Sequence, residues 1–171
     1  MHLAASLALV LVLPTLTFAD PPGELVQPRD GHFRIRFPGK PKENTQSAKT
    51  EIGTLKVYTA TFALADGSVF LASFTEFPAD KIKPETHATL LDGARDGLKG
   101  KDGTVVSDKS IEVGPDKVPA KEIKIDKGKQ QTRFRLLVKD NRLIQHATVG
   151  TGDFVTGKEA TAFLDSFEFT K

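Results

Sequence analysis

Alternating apolar and polar residues, turn signals between those runs, and two amphipathic stretches predict an α+β domain. The expected architecture is an antiparallel β-sheet of about six to eight strands packed against two main helices. The strand-like runs follow one another through short turns rather than through strand–helix–strand crossovers, which is what makes the ladder antiparallel. The 171-residue chain contains 12 Phe, which with its Val, Ile and Leu can supply the core of one domain.

The elements follow in order. Leu3 to Leu13 is an apolar run broken by Pro14, and Thr17-Phe18-Ala19 sets small residues before Asp20. This order predicts a secretory signal peptide over residues 1–19, too short for the roughly 18 apolar residues of a spanning helix. The positively charged residues usual at the start of such a signal are missing, so anchoring by an uncleaved N-terminal segment is the alternative. Export to the periplasm or the extracellular space follows. Residues 20–30, with Pro21, Pro22 and Pro28, read as an extended leader, and residues 31–171 as a single domain.

His32 to Phe37 alternates, with Phe33, Ile35 and Phe37 on one face and His32, Arg34 and Arg36 on the other. That is a half-buried strand, ended by Pro38-Gly39-Lys40-Pro41. A hairpin is expected from Asn44 to Ile52 and Leu55 to Leu64, turning at Gly53. Asp66-Gly67 suggests a type I′ turn into a central strand, Val69 to Phe77. Pro84 opens a helix that Gly100 closes, with His87, Leu90, Leu91, Ala94 and Leu98 forming its stripe. Gly93 and Gly97 border the stripe and predict a close approach to the sheet. A short strand between Val105 and Val113 precedes a meander of Lys121–Lys127, Gln130–Lys139 and Leu143–Gly150. Thr156 and Glu159 have the spacing of a capping box for a last helix carrying Ala160, Phe163, Leu164 and Phe167.

Phe33-Arg-Ile-Arg-Phe-Pro-Gly-Lys-Pro41, the Leu91-Asp-Gly-Ala-Arg-Asp-Gly97 helix and the closing Phe163-Leu-Asp-Ser-Phe167 carry a family resemblance. The chain resembles exported bacterial proteins of unknown function with the PsbP-like fold, shared by the photosystem II subunit PsbP and the Mog-type Ran-binding proteins. The resemblance implies a binding or assembly module rather than an enzyme. Many members carry a tryptophan just after the first-strand proline, where this chain has Gly39-Lys40, and no family binding residue is carried over.

Composition narrows the chemistry further. Lys and Arg total 24 against 22 Asp and Glu, a formal +2 that supplies no global field for nucleic acid or membrane. The absence of cysteine excludes disulfides, thiol catalysis and thiolate metal sites. Gly152 to Glu159 nearly matches a phosphate-binding loop. Glu159, however, stands where a hydroxyl must ligate magnesium, and only Lys158 to Lys171 remains to build the rest of such a site. No Gly-x-Ser-x-Gly elbow is present, and no two histidines share a four-residue helical spacing. His32 and His146 read as surface or boundary residues on strands, His87 as the rim of a helix stripe. His87 with Glu85 or Asp92 is a weak metal candidate. Asp92 and Asp96, close to Arg95 and Lys99, read as an ion-paired face rather than an acid–base couple.

No cofactor and no catalytic residue is expected. The candidate anion-binding residues are Arg34 and Arg36 on the first strand and Arg133 and Arg135 on the meander. Four guanidiniums on one ridge would suit carboxylate or phosphate groups, whereas the plainer reading is the solvated face of a sheet, neutralised by Glu122 and Asp126. The expected partner is an envelope or extracellular protein or an anionic ligand. A hydrolase built from scattered His32, His87 or His146 and nearby acids is the competing reading.

Overall fold

The computed structural model describes residues 23–50 and 53–170. Residues 1–22, over which the signal peptide and the start of the leader are expected, and residues 51 and 52 lie outside the described residues. Glu24–Val26 (β1) is a short strand, where the proline-rich composition suggested only an extended leader. It pairs antiparallel with Phe33–Phe37 (β2), placing Glu24 opposite Phe37 and Val26 opposite Ile35.

Among the described residues, seven further strands make the main sheet, in the order β3-β4-β5-β9-β8-β7-β6. These are Lys42–Thr50 (β3), Gly53–Ala63 (β4), Val69–Glu76 (β5), Thr104–Val113 (β6), Val118–Asp126 (β7), Gln131–Lys139 (β8) and Arg142–Gly150 (β9). Every ladder in it is antiparallel. β2 is not part of this sheet. It forms the middle of a three-stranded one with β1 and Glu168–Phe169 (β10). Its alternation is real, but the surface that buries Phe33, Ile35 and Phe37 is the main sheet and the last helix rather than a neighbouring ladder.

Turn chemistry departs from expectation at Asp66-Gly67. Leu64 N–H donates to the Ser68 carbonyl, Gly67 takes φ +84°, and Asp66 Oδ1 accepts from Ser68 N–H. The connection is therefore a longer loop closed by the Asp side chain rather than a two-residue turn.

Pro84–Thr86 forms a 3₁₀ turn that runs into His87–Lys99 (α1), closed by Gly100 at φ +64°. Leu91 is buried, and Leu90, Ala94 and Leu98 lie against Ile123, Ile125, Phe134 and Leu136 of β7 and β8. A Cβ on Gly93 or Gly97 would meet nothing within 4 Å. The expected close approach does not occur, because both glycines face outward or toward an open groove.

The C-terminal helix is in two pieces, Gly152–Thr156 (α2) and Lys158–Asp165 (α3). Thr151, not Thr156, is the cap: its hydroxyl accepts from Phe154 N–H at 3.3 Å. Thr156 ends α2 and its hydroxyl donates to the Gly152 carbonyl, so the capping box with Glu159 does not form. Gly157 is extended and breaks the run. Gly150 lets α2 sit close, since a Cβ there would fall 2.6 Å from the Phe154 ring.

The α2–α3 unit and the small sheet cover one face of the main sheet. Phe37 and Phe70 both meet Phe163, at 5.0 and 5.1 Å between ring centres, and Phe33 stacks on Phe167 at 5.3 Å. α1 covers the opposite face over β7 and β8.

Candidate functional site

The four arginines do not make one ridge. Arg34 lies on β2 and pairs with Glu168 of β10 at 2.5 Å. Arg36 lines a cavity with Phe37, Leu64, Phe163 and Glu159. Arg133 and Arg135 project from β8 toward α3, where their side chains are 13% and 16% exposed. Both reach the Glu122 carboxylate, at 3.1 and 2.9 Å. Arg133 also donates to Thr161 Oγ1, and Arg135 to the Leu164 carbonyl and Asp165. Glu122, expected as a neutralising neighbour, is thus the centre of the cluster. Burial pushes its carboxyl up, but the two guanidiniums outweigh this and hold it below the ordinary value. An incoming anion would have to displace Glu122 and Asp165, so the pair clamps α3 to the sheet.

The histidines are scattered. His32 is exposed, immediately before β2, with a left-handed φ of +56°. His87 opens α1. His146 is not a boundary residue: it is fully buried on β9 opposite Arg135, stacked on Phe167 at 4.6 Å with the planes 5° apart. Neither ring nitrogen is hydrogen bonded. Burial first, then the Arg135 charge, outweigh the opposing effect of the Leu164 carbonyl and lower its pKa to about 3. A neutral imidazole sealed behind Phe167 exchanges no proton with a substrate. Next to it, Thr148 Oγ1 and Arg133 Nε are also buried without partners. This polar seam was not foreseen from sequence, because Ile144, His146 and Thr148 and the Leu143, Gln145, Ala147, Val149 set alternate alike and nothing local says which face is sealed.

Asp92 and Asp96 are ion-paired as expected. Arg95 contacts both, at 3.2 and 2.9 Å, and also Asp108 at 2.9 Å, while Lys121 reaches Asp92 at 2.7 Å. Among the described residues no three His, Asp or Glu side chains converge as a metal-binding group. None of their helices is long and apolar enough to cross a membrane.

A concavity wide enough for a binding site runs along α1. One end, about 400 Å³, has walls of Ile82, Leu90, Gly93, Ala94 and Leu143. The other, about 390 Å³, shares Ile82 and is lined by His87, Asp140 and Asn141. These volumes suit an apolar side chain or short segment, with a few polar groups to orient it. The geometry explains the opening. α1 lies over β7 and β8, and beyond it the sheet is bare on this face. Gly93 adds no side chain to fill the gap. The polar end is pinned, because Asn141 Nδ2 donates to the Phe77 carbonyl at 2.5 Å and Phe77 N–H donates to the Asn141 carbonyl at 2.9 Å. No hydrogen bond joins His87 to Asp140, so the groove offers contact surface and orientation rather than a proton-transfer couple. Leu90 and Leu143 were readable as apolar positions, but Ile82, in a proline-flanked loop, carried no periodic signal.

No family model matches the sequence, and no curated protein matches it. Solved structures do. The solution structure of cyanobacterial PsbP from Synechocystis sp. PCC 6803 superposes with a TM-score of 0.55 at 10% identity, covering 91% of this chain and 97% of that one. A Pseudomonas aeruginosa protein of unknown function matches with a TM-score of 0.35 at 10% identity, over 82% of this chain and 90% of that one. The first likeness establishes a PsbP-like fold for this chain.

Proposed function

We propose that this chain is a non-enzymatic binding or assembly module that works after export, in the periplasm or outside the cell. One observation carries the reading: the open groove along α1 is apolar, ends in pinned polar groups, and holds no acid–base couple. The PsbP-like fold is consistent with such a role, and the Leu3–Ala19 segment supplies the export signal. The ligand is a partner protein segment that presents aliphatic side chains to Ile82, Leu90 and Leu143 and hydrogen-bonding groups to Asp140 and Asn141.

The test uses Gly93→Leu, which fills the groove from a site with no neighbour within 4 Å and so leaves the fold intact. Protein immobilised and exposed to an envelope extract should retain a partner that Gly93→Leu releases, with unchanged thermal unfolding. Retention by both forms would remove the groove from the reading. Turnover across a broad hydrolase panel, lost on replacing His87, would replace it with the enzyme reading.

A further inference from the structure

The two edges of the main sheet are built differently. β6 is guarded: its ladder to β7 is interrupted between Val105 and Ser107, and Asp108 is tied to Arg95 and Lys121. Bulges and charge networks of this kind stop an edge from pairing with another strand. β3 has no bulge, and its charges, Lys42, Glu43 and Lys49, are of both signs. Its nine residues stay in register with β4 from Lys42 opposite Thr61 to Thr50 opposite Gly53, without a bulge. No strand lies beyond it among the described residues, and it contains no proline. Because an antiparallel ladder uses every second residue's backbone groups on each side, alternate N–H and C=O groups of β3 point away from the sheet.

The side chains of this strand read as their own complement. We propose that two copies of the protein pair β3 to β3, antiparallel, about a twofold axis at Gln46. In that register Glu43 of each copy faces Lys49 of the other, Thr45 faces Ser47, and Gln46 faces Gln46. Two opposite-charge pairs, two hydroxyl pairs and one amide pair result, and each hydroxyl or amide can both donate and accept. Because only alternate residues turn their backbone groups outward, the nearest competing registers are two residues away; one sets Glu43 against Ser47 and the other Lys49 against Thr45, and both lose the opposite-charge pairs. The charges therefore select the register. Glu43 is already held, since the Tyr58 hydroxyl donates to its Oε2 at 2.7 Å. Its second oxygen remains for the lysine. Lys49 is exposed and has no ion-pair partner within its own copy among the described residues. The contact is isologous and closes on itself, giving a dimer rather than a fibre.

The test has two arms. By sedimentation equilibrium the protein should show a concentration-dependent dimer. Lys49→Glu or Glu43→Lys alone should weaken it by about tenfold or more, because each makes two like-charge pairs. An equimolar mixture of the two variants should recover it, since every facing pair is then opposite in charge. Unchanged thermal unfolding of Lys49→Glu at a concentration where both forms are monomeric keeps a folding defect from being mistaken for lost pairing. The second arm uses the absence of cysteine. Gln46→Cys should oxidise rapidly to a covalent dimer, because the two thiols then face each other, whereas Asn44→Cys should not. A protein that stays monomeric at all concentrations overturns the proposal. So does a dimer that survives both charge reversals, or one that Asn44→Cys captures as well as Gln46→Cys.

Discussion

The two faces of the seven-stranded sheet bury different kinds of side chain. Under α2, α3 and the small sheet, rings dominate: Phe33, Phe37, Phe70, Phe74, Phe163 and Phe167 interlock. Beside them runs a polar seam of His146, Thr148, Arg133, Arg135 and Glu122. Under α1 the core is mostly aliphatic, with Leu91 against Ile123, Ile125, Leu136 and Val138, and its charges stay at the surface. The first face is closed by covering elements from both ends of the chain. The second is half covered and keeps a groove. A fold can thus hold its structure on one face and leave the other for contact.

The largest test of that contrast removes one ring and one helix anchor. Phe163→Ala should cost about 4 kcal/mol and Leu91→Ala about 2, the lower figure because α1 borders an open groove and can relax into it. Urea unfolding gives both values. Equal losses would mean that the faces contribute alike.

The charged clusters should differ in the same sense. Glu122→Ala leaves Arg133 and Arg135 facing each other with little solvent, and about 3 kcal/mol of stability should be lost. Asp92→Ala, in an exposed network, should leave the unfolding midpoint unchanged within error.

His146 makes the closed face sensitive to acid. In the unfolded chain its imidazole takes a proton near pH 6.5, whereas in the folded protein it does so near pH 3. Between those values the unfolded state binds more protons, so stability is full above pH 6.5 and falls as the pH drops. The slope approaches about 1.4 kcal/mol per pH unit, and about 2 kcal/mol is lost by pH 5 relative to neutral and higher pH. Half-buried Glu122, its carboxyl held below the ordinary value, changes stability in the same direction only at lower pH, so the His146→Leu variant isolates the effect. A stability profile that is unchanged by this substitution would break the assignment.

Much of this architecture was readable in the chain, and the misses have a common cause. The meander, the α1 stripe and the Phe33, Ile35, Phe37 alternation depend on local period, and all three appear where that period puts them. Placement of β2 in a separate small sheet, the pairing of β1 and the sealing of His146 depend on which distant element covers which face. Alternation is the same for a residue facing a helix and one facing water, so Arg133 and Arg135 looked solvated until α3 and Glu122 were placed over them. The shift of the cap from Thr156 to Thr151 is a local miss. Two short helices divided at Gly157 compete with one longer helix, and the close seat that Gly150 allows Phe154 decides between them.

The smallest expected effect bears on the half-covered face. Gly93 and Gly97 lie inside α1 with open space at the position of a Cβ, and neither has a positive φ. Nothing in the fold therefore requires glycine at either site, and its cost in helix propensity is not recovered through packing. Gly97→Ala should stabilise the protein by about 0.5–1 kcal/mol, chiefly by restricting the unfolded chain. Gly93→Ala should give the same gain while adding one methyl to the groove wall. If thermal unfolding shows equal gains and partner retention falls with Gly93→Ala alone, the groove accounts for the glycine at 93. If Gly97→Ala reduces retention as much, contact extends over the outer surface of α1, and the half-covered face is wider than the groove.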